Sequence, residues 1–322
     1  MKNYSPKIAA QKLVQANVEH GLSRHCAPQI ALTKVTSVSS EKAHVSALTL
    51  YAKWLLVTTG RHLRNSSRFF ATQYLQHIAQ SKKQASISLA RQAINLHLHI
   101  DRPISHVVSA VPTVPMNRAY SHDEVVYLCH EASPRLSLSI AIAAAAGLRG
   151  MELVSIAPMP ARVISPRDWH AGLFSGREKE VRYSVHGKGG LVREVRLPTY
   201  LSAKLEMFRR AQPLRVSHRG AHLTSYFDLI GGHAFSSQFG RLSKRLFHWS
   251  LGGHGLRHFF AQRRRDQLLW HAFSFEDSLS ILSQELGHFS SKNTFAYLRD
   301  KSYKSVSDAQ PLKGHRSYFA YS

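Results

Sequence analysis

The stretch DRPISHVVSAVPTVPMNR, residues 101–118, most limits how this chain can fold. It holds Pro103, Pro112 and Pro115 and shows no sustained helical period, so it reads as an extended linker. Apolar residues recur at helical spacing on both sides of it, which excludes one continuous helical core and predicts two domains. A length of 322 residues is enough for each to have a core of its own. On the N-terminal side, Val45, Leu48, Leu50, Tyr51, Trp54 and Leu55 follow a helical period, with Ser39 or Ser40 as the expected N-cap. SSRFFATQYLQHIAQ and KKQASISLARQAINLHLHI repeat the pattern, so residues 36–100 are expected to form a small helical bundle. Residues 1–35 read as a basic arm containing one short helix.

Beyond the linker, SHDEVVYLCHEA opens with a serine N-cap and two acids in its first turn, the signature of a helix start. PRLSLSIAIAAAAGL predicts a helix ending near Gly147. The period then changes, because VRYSVHGKGGLVREVRLP places two β-branched runs around HGKGG, a hairpin with a glycine-rich turn. Helices are expected to resume with YLSAKLEMFRRA, FSSQFGRLSKRLFHW, the HGLRH segment, EDSLSILSQELG and SKNTFAYLRD. The predicted class is mainly α with a small antiparallel β-sheet.

Charge narrows the function. Lys and Arg number 43 against 19 Asp and Glu, for a formal net charge of +24. The isoelectric point is near 10.4. The surplus is shared by the sequence on either side of residue 118, so both parts are expected to meet a polyanion. Nucleic acid is the default partner and an acidic membrane surface the alternative. The longest apolar run, IAIAAAAGL, is far short of a span, and the start lacks an uninterrupted apolar signal core. Cys26 and Cys129 are too few for a disulfide framework or a cysteine zinc module, which suits a reducing cytosol.

Five short motifs stand in order: AAGLRGMEL with Arg149, HGKGG with Lys188, HGLRH with His254 and Arg257, ELGHFS with His288, and TFAYL with Tyr297. Taken singly, each has an ordinary structural explanation: a helix end, an exposed turn lysine, a glycine C-terminus, a core tyrosine. In this order and spelling they resemble the tyrosine recombinase (phage integrase) family. That family's motifs read GLR-x-x-EL, a lysine in a β-hairpin, H-x-LRH, LGH and a tyrosine nine residues later. Here His288 and Tyr297 are nine residues apart, and Thr294 sits where the family usually has a threonine. The resemblance covers residues 119–300, and the preceding bundle looks like the family's core-binding domain, of SAM-like type. It implies an α+β catalytic domain over 119–300 and a tail over 301–322.

The resemblance also implies a chemistry. Tyr297 would be the nucleophile that forms a covalent 3′-phosphotyrosine and frees a 5′ hydroxyl. Arg149 and Arg257 would bind the phosphorane oxygens through forked guanidinium groups. A phenol ordinarily titrates near about 10, and flanking cations favour its anion. Lys188 on the hairpin tip would protonate the departing 5′ oxygen. His254 and His288 would hydrogen-bond phosphate oxygens or move the nucleophile's proton. Glu152 would buttress one of the cations. In this scheme the arginines do the electrostatic work of a metal, so no metal, ATP or other cofactor is expected.

His254 and His258 have the i, i+4 spacing of a metal pair, but the zinc-hydrolase version needs an adjacent Glu and a third ligand, and Gly255 follows instead. Tyr303, Tyr318 and Tyr321 are rival nucleophiles without the nine-residue relation to LGH. The spans Arg149–Lys188 and Arg257–His288 are longer than in compact family members. The extra segments are APMPARVISPRDWHAGLFSGREKE, expected as a loop on DNA, and RRRDQLLWHAFSFEDS, where Arg263, Arg264 and Arg265 either touch backbone phosphate or form a solvated face.

The expected partner is double-stranded DNA, held in a C-shaped clamp of the two domains, with a dimer on each site and a homotetramer on two sites. Accessory DNA-bending or directionality factors fit a role in integration, excision or transposition of a mobile element, in the cytoplasm of a bacterium at its nucleoid. The alternatives are a type IB topoisomerase-like enzyme and a DNA-binding accessory factor whose chemistry has lapsed. The aromatic end of the tail would dock on a neighbouring protomer, pack in cis or fray.

Overall fold

Three helices of the N-terminal region begin where serine side chains can accept a main-chain N–H. In the computed structural model, which describes residues 4–20, 33–98, 102–112, 117–218 and 221–298, Ser5 caps α1 (Pro6–Gln15), with Pro6 at the first helical position. Ser37 caps α2 (Val38–Thr59) by accepting from the Ser40 N–H at 3.1 Å, two or three residues ahead of the expected cap at Ser39 or Ser40. Helix α2 ends at Gly60, whose φ of 68° is left-handed. Helices α3 (Arg68–Ala79) and α4 (Gln84–His97) complete the bundle. Leu48, Tyr51, Leu55, Leu75 and Ile94 form its core.

The chain divides into two units, Met1–Val114 and Pro115–Ser322. Two sequence expectations change here. Ala10 and Val14 of α1 are fully buried in the same core as α2–α4, so this helix belongs to the bundle and not to a separate arm. The first part of the expected linker is fastened to the bundle as well. Ile104 is buried there, its N–H donates to Asn95 Oδ1, and Gln84 bonds both Val107 and Ser109. Extended backbone without a helical period has been paired through side-chain amides, a pattern that hydrophobic spacing does not encode.

In the C-terminal unit, α5 (His122–Glu131) starts with a capping box: Glu124 N–H donates to Ser121 Oγ, and Ser121 N–H donates to Glu124 Oε2. Helix α6 (Pro134–Ala146) is buried along most of its length and stops at Gly147, φ 62°. A Cβ at Gly147 would stand 2.5 Å from the Phe260 ring, so the position needs glycine for space as well as for φ. Helix α7 (Gly150–Ser155) follows, then a three-stranded antiparallel sheet of β1 (Ala157–Pro158), β2 (Val181–His186) and β3 (Val192–Leu197) in that order. Val181 pairs with Leu197 and His186 with Val192, which closes the expected HGKGG hairpin.

Helix α8 (Thr199–Glu206) is shorter than YLSAKLEMFRRA suggested. From Arg209 the chain is a second, two-stranded sheet, β4 (Arg209–His218) and β5 (Ala221–Phe227), where helices had been expected to resume directly. The signal was present as two short alternating runs about Arg219-Gly220, with Pro213 falling in the register shift between Arg209 and Leu214. Helices α9 (Gly232–Phe247), α10 (His254–Trp270), α11 (Phe275–Glu285) and α12 (Ser291–Phe295) end the described chain.

The inserted segment between β1 and β2 is packed down on α10 and α11. Arg264 donates to Glu285 Oε1 at 2.7 Å and to the Ser175 carbonyl, and the Phe174 N–H donates to Glu285 Oε1. Arg177 pairs with Glu180 at 2.6 Å and lies 3.7 Å from Glu285. His170 N–H donates to Gln284 Oε1. This brace fastens the inserted segment to the C-terminal end of α11. Among the described residues no helix is long and apolar enough to cross a membrane. Cys26 and the tail 301–322, with its tyrosines, lie outside the described residues.

Candidate active site

Arg149 is the N-cap residue of α7, and Glu152 is the third residue of that helix. The Arg149 N–H donates to Glu152 Oε2 at 2.9 Å while its guanidinium donates to Oε1 at 2.7 Å. Glu152 is 1% exposed and meets two more guanidinium groups. Arg193 Nη2 lies 2.9 Å and Arg257 Nη1 3.7 Å from its Oε2. Burial alone would raise this carboxyl, but Arg193, Arg257 and Arg149 together hold it below the usual carboxylate range. One carboxylate therefore faces three cations.

Arg257 is completely buried on the first turn of α10. Its Nη1 donates to the Gly147 carbonyl at 2.6 Å and its Nη2 to the Leu286 carbonyl, so it ties the end of α6 to the end of α11. Burial lowers its pKa to about 10, which leaves it charged at neutral pH.

His288 follows Gly287, whose φ of 72° ends α11, and the His288 N–H returns to the Ser283 carbonyl at 2.7 Å. Its Nε2 meets Arg149 Nη2 at 2.9 Å and Arg257 Nη2 at 3.2 Å. Guanidinium nitrogens only donate, so Nε2 accepts and the ring proton sits on Nδ1. Nδ1–H then donates to Thr294 Oγ1 at 3.0 Å, a side chain that is fully buried. Burial first, then Arg257 and Arg149, lower His288 to about 3, so it is neutral at pH 7.

Tyr297 closes the ring of side chains. Its ring centroid lies 5.5 Å from Arg257 Cζ, 5.3 Å from the His254 ring and 5.7 Å from the His288 ring. The Tyr297 N–H donates to the Thr294 carbonyl at 2.8 Å, so Thr294 touches both the histidine and the tyrosine segment. His254 is lowered to about 4, by burial and then by Arg257, Arg118 and Arg149, and is neutral as well. Two neutral imidazoles and the Arg257 guanidinium thus pack against one phenol ring, and Arg149 reaches the group through His288.

Lys188 stands apart from this cluster, exposed at the tip between β2 and β3. Among the described residues no hydrogen bond or ion pair reaches it. The next two residues have φ of 75° and 80°, the left-handed region that only glycine enters freely, and nothing stands within 4 Å of either Cβ direction. The hairpin can present its lysine without a steric stop.

No family model matches the chain, and no curated protein matches it in sequence. Among solved structures, XerH site-specific recombinase bound to palindromic difH substrate, a post-cleavage complex, aligns with a TM-score of 0.55. The alignment covers 94% of this chain and 95% of that one at 13% identity. A lambda integrase (75–356) dimer bound to a COC′ core site aligns with a TM-score of 0.54, over 88% and 98% of the two chains at 16% identity. A lambda integrase tetramer bound to a Holliday junction gives 0.54 over 91% and 82% at 15% identity.

The chain has the tyrosine-recombinase fold.

Within that tyrosine-recombinase fold, Arg149, Glu152, His254, Arg257, His288 and Tyr297 are brought together from α7, α10 and the segments after α11, while Lys188 is carried on a separate hairpin. The sequence reading missed Arg193. It lies on β3, where Val195 and Leu197 share its buried face, and is 1% exposed. A charge on the inward positions of an alternating strand was the available signal. A Cβ on Gly287 would stand 2.9 Å from Arg193 Nε, so the glycine of LGH is also what lets Arg193 approach.

Arg263, Arg264 and Arg265, expected either to touch backbone phosphate or to form a solvated face, are corrected at two positions. Arg264 and Arg265 are 2% and 8% exposed, the first spent on Glu285 and the second on Asp266. A helix turns consecutive residues to different faces, and only Arg263 stays on the open side, over the Phe259 ring. The segment 159–180, expected as a loop on DNA, is fastened by the contacts with Gln284 and Glu285 given above.

Proposed function

We propose that the chain is a site-specific DNA recombinase that cuts and rejoins double-stranded DNA through a covalent 3′-phosphotyrosine. The observation that carries this reading is the placement of the Tyr297 phenol against Arg257, His254 and His288, with Arg149 joined to the same imidazole. In the proposed step the Tyr297 oxygen attacks the scissile phosphorus, the P–O bond to the 5′ carbon's oxygen breaks, and a P–O bond to tyrosine forms. The phenol proton passes to a neutral imidazole, His254 being the one whose acceptor is not already shared by two arginines. Lys188 gives a proton to the departing 5′ oxygen once the hairpin closes on DNA. Charge accumulating on the phosphorane is met by Arg149 and Arg257, whose excess over Glu152 is present before substrate arrives. The phosphotyrosine conserves bond energy, so a second DNA end reverses the step without ATP.

Both units carry basic surplus, and phosphate contacts from both would supply most of the affinity, which then falls steeply with salt. A dimer on each site and a tetramer on two sites, with accessory factors setting direction, complete the proposal for a mobile element's enzyme acting at the bacterial nucleoid. The test is covalent trapping. Full-length protein and Tyr297→Phe are mixed with nicked duplexes from the DNA flanking the gene, in EDTA, and resolved on a denaturing gel. An adduct in wild type that is absent from Tyr297→Phe and indifferent to EDTA is the expected result. An adduct that persists in the variant sinks Tyr297 as nucleophile and moves attention to Tyr303. DNA bound in a gel shift without any adduct favours the accessory-factor alternative.

A further inference from the structure

Helix α10 offers more to Tyr297 than the two residues the chemistry uses. His254, His258 and Gln262 follow one another at four-residue spacing, which places them on one face, a turn apart. The His258 ring centroid lies 4.6 Å from that of Tyr297, and its imidazole is in hydrogen-bonding reach of the Tyr297 main chain. One turn on, Gln262 Nε2 is 3.4 Å from the Tyr297 carbonyl oxygen and 2.9 Å from Asn117 Oδ1. An amide nitrogen has two protons, so both bonds can form at once.

Asn117 is where the chain enters the C-terminal unit, two residues after its first residue, Pro115. Its Oδ1 also accepts from the Ala119 N–H at 2.9 Å. The next residues press on the start of α10: a Cβ on Gly255 would stand 2.6 Å from the Tyr120 ring and 2.9 Å from the Arg118 carbonyl oxygen. The glycine in HGLRH is thus a seat for the entering segment. His258, Gln262 and Asn117 have no part in the phosphoryl chemistry proposed above, yet all three converge on the nucleophile's backbone or on its tether.

We propose that His258 and Gln262 are positioning residues that hold the main-chain carbonyl of Tyr297, and that Asn117, through Gln262, makes the placement of that carbonyl depend on the segment entering the C-terminal unit. A pull on residue 117 from the preceding chain reaches the nucleophile through two hydrogen bonds. The inference rests on the reading of Tyr297 as nucleophile.

Hydrogen exchange of the full-length chain, followed on peptides covering residues 289–298, tests it without any DNA. Gln262→Glu keeps the size but turns a donor into an acceptor facing two oxygens. Asn117→Leu removes the acceptor, and Asn117→Asp keeps it. Gln262→Glu and Asn117→Leu should each speed exchange at the Tyr297 and Leu298 amides by about tenfold, the scale of one hydrogen bond to the main chain. Asn117→Asp should restore the wild-type rate, and the double variant should exchange no faster than Gln262→Glu alone. If Gln262→Glu lowers the Tm, Gln262→Met takes its place. Unchanged exchange in the Gln262 variant, or strictly additive effects of the two positions, overturns the proposal. In the trapping assay the same variants should form adduct more slowly at unchanged gel-shift affinity. Wild type that forms no adduct while the exchange pattern holds would defeat the recombinase reading and leave the tether standing.

Discussion

Two buried charge clusters in the C-terminal unit use the same residue types to opposite ends. Around Glu285, Arg264 and Arg177 face two carboxylates, Glu285 and Glu180, and they also donate to the main-chain carbonyls of Ser175, Ala145 and Arg196 and to Gln267 Oε1. Around Glu152, three guanidinium groups share one carboxylate, and Nε of both Arg193 and Arg257 has no hydrogen-bond partner among the described residues. A balanced cluster is a brace, since its charges are already answered. An unbalanced one carries a standing deficit of negative charge, and desolvated cations are costly unless an anion answers them. Such a deficit is what the phosphate site of the proposed reaction would need.

The largest effect that would separate the two belongs to Glu285→Gln. It leaves Arg264 buried without its partner and should cost about 3–5 kcal/mol of folding stability. Chemical denaturation reads this, and the fraction that remains folded should cleave DNA at the wild-type rate. A normal denaturation midpoint would show that the cluster is no brace. Arg149→Gln should behave in reverse. Its side chain is 26% exposed, so stability should change by no more than about 1 kcal/mol, whereas single-turnover cleavage should fall by about 10²–10³. Equal losses of stability and rate in the two variants would erase the distinction.

Acid sharpens the comparison at smaller scale. His254 and His258 are held at about 4 and His288 at about 3, all below the ordinary imidazole value of about 6.5. The unfolded chain therefore takes up protons that the folded chain refuses, so stability is complete above about 6.5 and drains as pH falls towards 4. Thermal midpoints measured from pH 7 to 4.5 should decline, and more gently in His288→Asn. His97 of the N-terminal bundle, hydrogen-bonded to His44 at 2.9 Å and also held at about 4, titrates in the same window. The difference between wild type and the variant is therefore the quantity to read. The smallest effect is a ligand shift: inorganic phosphate should raise the Tm by a few degrees in wild type. The shift should survive in Glu285→Gln and vanish in Arg149→Gln, and its survival in Arg149→Gln would place the anion elsewhere.

Much of this site could be read in one dimension because its parts are local. GLRGMEL carries a helix end and an i, i+3 acid, HGKGG carries a turn that needs left-handed residues, and HGLRH places three groups on adjacent turns of one helix. The capping box at Ser121 and the left-handed stop at Gly147 were legible for the same reason. Where contacts joined distant segments, the reading went wrong. Helix α1 looked like an arm until its apolar side met α2, and Arg264, read with its neighbours as either a phosphate contact or a solvated face, is spent on Glu285 twenty-one residues away.

The sequence by itself determined most of the helical periods, the hairpin, the basic surplus and the local motifs whose side chains the proposed chemistry would use, since each depends on composition or on spacing within a few residues. Only the tertiary structure decided that Arg193 joins the Glu152 cluster and that Arg264 does not. It alone assigned the His288 proton to Nδ1 and tied Gln262 to Asn117. The reason is physical: a side chain's charge state and availability depend on what it meets across long separations in the chain, and periodicity carries no record of those meetings.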